Sequence, residues 1–156
     1  MKLIWLDEQN RRYAYGFYHS FMPYAHISRK EKIAVLIKNG RQNNPINTEQ
    51  IFASLRLRAV GEFNILLGIL VHPEHRGRGL GHQLMNGVAD KLISDKIYLF
   101  SLPYLVEFYQ HHGFSQEVLA PNDIVQLFEK YTSKGKKLVL MGYVPAPLQS
   151  EGFRAS

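Results

Sequence analysis

The segment Leu70 to Met85, LVHPEHRGRGLGHQLM, constrains the fold more than any other part of the chain, because three backbone behaviours follow one another there without a break. Upstream, Phe63 to His72 (FNILLGILVH) is a nearly continuous apolar run, the pattern of a central strand covered on both faces. Downstream, Leu80, Leu84, Val88 and Leu92 recur every four residues with Met85, Ala89 and Ile93 beside them, which predicts one amphipathic helix ending near Ser94. Between the two stand Gly77, Gly79 and Gly81. A helix start offers unpaired N–H groups and the positive end of a dipole, and glycines let an anion reach that backbone without meeting a Cβ. Arg76 and Arg78 add positive charge at the mouth. The segment reads as a cradle for a pyrophosphate. It lacks the full GxGxxG spacing of a dinucleotide fold and the Lys-Ser/Thr of a P-loop.

The rest of the chain supplies strands and helices around this segment. Lys2 to Leu6 reads as a short strand, and Glu8 to about Ala25 as a helix whose aromatics Tyr13, Phe17, Phe21 and Tyr24 form a core stripe. Lys32 to Lys38 and Ile51 to Val60 follow as strands, separated by the polar turn segment NGRQNNPINTEQ. In the second of these, Phe52, Ser54, Arg56 and Arg58 alternate with Ala53, Leu55, Leu57 and Ala59, so one face is expected in the core and the other in water. Gly61 and Glu62 form a tight turn into the central strand. After the glycine segment come a strand at Ile97 to Ser101, a helix at Tyr104 to His112 with Pro103 well placed at its first turn and Gly113 as its stop, and a strand starting at Phe114. A helix capped by Asn122 and a last strand at Lys136 to Val144 complete the order. This succession predicts an α/β fold with a mixed, mostly antiparallel central sheet and helices on both faces. With 156 residues, one domain over residues 1–145 is expected, followed by a flexible tail at 146–156.

Composition narrows the chemistry. The chain has no cysteine, so disulfides, a thiolate nucleophile and thiolate metal sites are all excluded. His72, His75, His82, His111 and His112 do not have ligand spacing, since the first two lie on a turn and the last two are adjacent in a helix, so no metal is expected. A formal charge of +6 favours an anionic partner. The opening MKLIWLDEQNRR is too short an apolar run for a signal segment, and no stretch has the ~20 apolar residues of a membrane span, so a cytoplasmic location and no membrane partner are expected.

At Val71, His72, Pro73, Glu74, His75, Arg76, Gly77, Arg78, Gly79, Leu80 and Gly81 the sequence resembles the GNAT superfamily of acetyl-CoA-dependent N-acetyltransferases. That family's signature is a strand ending in Val-x-Pro, then Gln/Arg-x-x-Gly-x-Gly/Ala. Arg76, Gly79 and Gly81 satisfy it in one register, while Gly77 and Gly79 satisfy it in another that puts Glu74 at the Gln/Arg position. A second motif, FYQHHGF at Phe108 to Phe114, resembles the family's later Phe-Tyr-x-x-x-Gly-Phe. The resemblance implies a GNAT-like acyl-CoA acyltransferase fold and acetyl-CoA as co-substrate. It further implies that Arg76 to Gly81 hold the pyrophosphate, that the backbone of Leu70 and Val71 lines the pantetheine arm, and that Ser101 stands at the facing strand end. It implies a proton for the departing thiolate from Tyr109, a backbone N–H near Val71 for the carbonyl oxygen, and Glu62 as the first candidate base, with His72 and His75 as alternatives.

The acceptor amine is not written in these motifs, and a homodimer stays open. Two other readings compete: a basic nucleic-acid-binding module using Arg56, Arg58, Lys134, Lys136 and Lys137, and an acyl-CoA-binding protein without turnover. No nucleic-acid-binding signature accompanies the basic residues, so acetyl-CoA and an amine are the expected partners.

Overall fold

The computed structural model describes residues 1–38, 47–94 and 96–144. The expected tail, most of the polar segment after Lys38, and Asp95 lie outside these residues. Seven strands form one sheet in the order β1-β2-β3-β4-β5-β7-β6: β1 (Lys2–Trp5), β2 (Lys32–Ile37), β3 (Ile51–Val60), β4 (Phe63–Val71), β5 (Ile97–Ser101), β6 (Phe114–Ser115) and β7 (Val139–Tyr143). The helices are α1 (Arg11–Phe21), α2 (Leu80–Gly87), α3 (Ala89–Ser94), α4 (Val106–His111) and α5 (Asn122–Thr132). The chain divides into two compact units, Met1–Arg58 with Leu66–Ala89, and Ala59–Ile65 with the residues from Asp90 onward.

In the first unit, β1 pairs antiparallel with β2 and β2 with β3. Ile4, Ile33, Val35 and Ile37 point to one face, where Ala14, Phe17 and Tyr18 of α1 close over them with Ile51 and Leu70. Each large side chain so buried contributes roughly 1.5–3 kcal/mol relative to exposure. Leu3 alternates to the opposite face, and α2 lies there: a Cβ on Gly87 would stand 2.9 Å from Leu3 Cδ1. Helices therefore cover both faces of this part of the sheet.

The expectation of a wet face on β3 is overturned. The register pairs Val35 with Ser54 and Ile33 with Arg56, which turns both polar residues toward the face that α1 covers. Ser54 is fully buried and its hydroxyl donates to Ala34 O, while Arg56 is buried against Glu31, Nη1 to Oε1, at 2.6 Å. Arg58 reaches the other oxygen of the same carboxylate at 3.0 Å. The Ser28 N–H donates to it as well, at 2.8 Å. Arg56 is thus not presented to a nucleic-acid backbone as the rival reading required, and Arg58, partly exposed, is engaged by the same carboxylate.

Smaller corrections have local causes. Asp7 caps a 3₁₀ turn at Glu8–Asn10 before α1, and α1 stops at Phe21, where Met22 N donates back to Tyr18 O ahead of Pro23. Tyr24 therefore falls beyond the helix and is exposed. The single helix expected over Leu80 to Ser94 is two, because Gly87, free of a Cβ to sit on Leu3, is also a weak helix former, and the turn breaks at Val88. Pro121, rather than Asn122, occupies the cap position of α5, and its carbonyl accepts from Ile124 and Val125.

In the second unit, β5 and β6 each pair antiparallel with β7. Asn64 N at the start of β4 donates to Lys96 O beside the start of β5. Ile124 of α5 is buried, and Phe128 and Tyr131 set their rings edge-on to Phe100 of β5 at 5.2 and 5.4 Å, the apolar face that the spacing predicts.

The Glu31–Arg56 pair generates a stability prediction. Glu31→Gln leaves a buried guanidinium short of its countercharge, which costs about 3 kcal/mol or more. Adding Arg56→Met removes the stranded charge and should recover part of that loss. Urea unfolding of the two single variants and the double variant measures the coupling, and fully additive losses would contradict it.

Candidate cofactor and catalytic site

The expected cradle, Arg76 to Gly81, lies in the first unit and follows the end of β4. Leu70 is buried and Val71 half-buried, and His72 N donates to Phe52 O at 2.8 Å, which fixes the exit of the strand. A 3₁₀ turn follows at Pro73–His75, capped by the His72 ring, whose Nδ1 accepts from Glu74 N at 3.1 Å. Glu74 is exposed on this turn. Gly77 and Gly79 take left-handed backbone, φ 79° and 75°, a conformation that residues with a Cβ adopt at a cost. Gly79 is the cap of α2, and the first intrahelical bond of the described set runs from Gln83 N to Gly79 O.

Arg76, Gly77, Arg78 and Gly79 are all exposed, and a Cβ placed on either of these glycines would have nothing within 4 Å. The turn is open to an anion on the glycine side. Leu80 anchors its inner end in the core. Gly81 follows in the first turn of α2, half-buried. Arg78 is steadied by His75, whose Nδ1 lies 2.7 Å from its Nη1, and the His75 ring stacks on Phe52 with centroids 4.5 Å apart. His72 rests edge-on against Phe21 at 4.5 Å. These two histidines are thus employed in holding the turn. No cluster of three metal-binding side chains occurs among the described residues.

The remaining candidates lie in the second unit. Ser101 is buried at the end of β5, and its hydroxyl donates to Leu102 O at 2.7 Å. After Pro103–Leu105, α4 carries Tyr109 on its inner side, with Phe108 and Phe114 edge-on at 5.2 and 6.1 Å. Gly113 ends this helix in left-handed backbone, φ 96°, as the FYQHHGF spacing predicts. Burial pushes the Tyr109 phenol up to about 12, with Tyr104 adding to the shift, so the group stays protonated throughout the neutral range. Its hydroxyl has no hydrogen-bond partner among the described residues. Glu62 is exposed in the turn between β3 and β4, with the nine residues of β4 between it and the cradle.

Sequence reasoning missed a third group of buried polar residues, Tyr18, Glu31 and Arg56, that meets β4 inside the first unit. The Tyr18 hydroxyl donates to Gly68 O, and Arg56 lies over the Tyr18 ring, Cζ 5.0 Å from its centroid. The available signal was a solitary carboxylate: Glu31 is the only acidic residue between Glu8 and Glu49, while Arg56 and Arg58 alternate on one strand.

Comparison with known proteins agrees with this geometry. The family model for the acetyltransferase (GNAT) domain matches residues 29–116, more than half of the chain. The structure resembles that of Tetrahymena GCN5, with a TM-score of 0.64 and 14% identity over 93% of this chain and 98% of that one. It also resembles an aminoglycoside 6′-N-acetyltransferase complexed with coenzyme A, with a TM-score of 0.60 and 14% identity over 93% and 98%. The ribosomal-protein-S18-alanine N-acetyltransferase of Escherichia coli gives a TM-score of 0.60 and 18% identity over 91% and 92%. No curated protein matches the chain at a significant level. At such identities the structural likeness establishes the acyl-CoA N-acyltransferase fold, and the family match establishes the rest: the chain belongs to the GNAT acetyltransferase family and is an acyltransferase.

Proposed function

We propose that this enzyme transfers the acetyl group of acetyl-CoA to a primary amine of its acceptor, by direct attack within a ternary complex. The observation that carries the reading is the open, left-handed glycine turn at the start of α2, flanked by Arg76 and Arg78. Its geometry suits a pyrophosphate, because both Cβ positions are clear and a helix start directs N–H groups and the positive end of its dipole outward. Acetyl-CoA, when bound, supplies an activated acyl group as a thioester.

In this reading the backbone of Leu70 and Val71 lines the pantetheine arm, with an N–H near Val71 polarising the acyl carbonyl, and Ser101 stands at the end of the facing strand. Tyr109 donates a proton to the sulfur as it leaves. Two observations support that role: its phenol is held protonated by burial, and its hydroxyl is uncommitted. A lysine-like amine is only about one part in a few thousand neutral at pH 7, so the acceptor must also lose a proton. Glu62 is the candidate for that task, although its exposed turn stands at the end of β4 away from Val71. Unchanged kcat in Glu62→Gln would pass the role to a water relay.

Three outcomes are expected. Acetyl-CoA at about 100 times its dissociation constant adds roughly 2.7 kcal/mol of stability, which for a chain of this size raises Tm by about 5–10 °C. Gly79→Asp should remove that shift, since the new carboxylate meets the pyrophosphate and no protein atom, while the unliganded protein still folds and melts lower only by the cost of a Cβ in left-handed backbone, about 1–2 kcal/mol. Persistence of the shift in a folded variant would move the site elsewhere.

Tyr109→Phe should lower turnover by about 10²-fold, the low end for general acid catalysis because a thiolate already leaves readily, while acetyl-CoA affinity stays within a few-fold. The pH profile offers an independent check. An acid with its pKa raised to about 12 loses its proton only above that region, so no falling limb from Tyr109 should appear in kcat/KM below about pH 10. Full turnover in the phenylalanine variant would return Tyr109 to a packing role.

A further inference from the structure

β4 is broken in its conformation at Gly68, which takes φ 65° in the middle of the strand. A left-handed residue in a strand turns its peptide away from the regular ladder and re-aims the residues after it. Here the Gly68 carbonyl is met by the Tyr18 hydroxyl at 2.5 Å. The side-chain space of Gly68 is filled by another residue: a Cβ there would stand 2.6 Å from Arg56 Nε and 2.8 Å from its Nη2. Arg56 cannot retreat, because its Nη1 is bonded to Glu31 Oε1 and to His26 O. Glu31 in turn is held by Arg58 and by the Ser28 N–H.

Tyr18, Arg56 and Glu31 are each at most 4% exposed. Arg56 Nε has no hydrogen-bond partner among the described residues, an expense that apolar side chains of similar volume would avoid. A buried ion pair contributes little net stability once desolvation is counted, so its retention at the kink of one strand calls for a geometric reason.

We infer that Tyr18, seated by the Arg56–Glu31 pair, is a positioning residue for the acyl-CoA strand: it fixes the Gly68 kink and thereby the direction of Ile69 to Val71. The inference rests on the reading that Leu70 and Val71 line the pantetheine arm. Only Ile69 separates the kink from Leu70, so a reoriented peptide at Gly68 would carry directly into the segment that aligns the arm. The pyrophosphate cradle is insulated from it, because His72 is anchored separately on Phe52 O and the turn beyond is held by His75 and Phe52.

That separation makes the inference testable with two ligands. Tyr18→Phe keeps the ring and deletes only the hydroxyl. Calorimetry should show acetyl-CoA binding weakened about tenfold, the order expected for misplacement by a fraction of an ångström. Binding of 3′-phospho-ADP, which lacks the pantetheine arm and engages only the cradle, should stay within twofold. Tyr15→Phe, an exposed neighbour on α1, should change neither. Equal loss for both ligands would mean general structural damage and overturn the positioning role. Unchanged acetyl-CoA affinity in Tyr18→Phe would overturn it as well. Failure of the unsubstituted protein to bind acetyl-CoA would instead sink the cofactor reading on which the inference rests.

Discussion

The fully buried carboxylate of Glu31 organises the first compact unit. It draws Arg56 inward from β3, reaches Arg58, and receives an N–H from the loop that follows α1. Arg11 at the start of α1 joins the same assembly by donating to the carbonyls of Glu31 and Ser28. A strand, a helix and a loop are thereby tied to one charged group rather than to apolar contact alone. Such a group costs desolvation energy that only good geometry repays, so the arrangement tolerates few alternatives. Burial also pushes the Tyr18 phenol up to about 12, which keeps it a donor to Gly68 O throughout the physiological range.

Function then divides between two kinds of environment. At the open end of β4 the chain exposes glycines and arginines beside a helix start, which suits binding of a strongly charged, solvent-facing group. Around Tyr109 it does the opposite, burying a neutral phenol among rings of Phe108 and Phe114. Burial there keeps the phenol protonated throughout the neutral range. The binding end and the chemical end of a bound thioester would ask for these two environments respectively.

How much of this was legible in the sequence depended on the range of the interaction that decides each feature. The strand, glycine turn and helix start were legible because their determinants are local: apolar run, glycines and amphipathic helix are contiguous from Phe63 to Met85. The bounds of β3 and β5 and the stop at Gly113 came from equally short-range signals. The burial of Ser54 and Arg56 was not legible, since alternation along β3 shows that two faces exist and not that α1 covers the polar one. The break at Val88 follows Gly87, whose side-chain space is taken by Leu3, more than eighty residues away. Gly68 looked like one more small residue in an apolar run, and its role emerged only once Arg56 was found in its side-chain space.

The central claim is that acetyl passes directly from the thioester to an amine held in the same complex. Its most direct measurement is the time course of free thiol with and without a panel of primary amines, alongside intact-mass spectra of the protein. The account predicts thiol release only when an accepted amine is present, in step with one N-acetylated product, and a protein of unchanged mass at every time point. Rapid thiol release without any amine, with acetyl retained on the protein, would contradict direct attack.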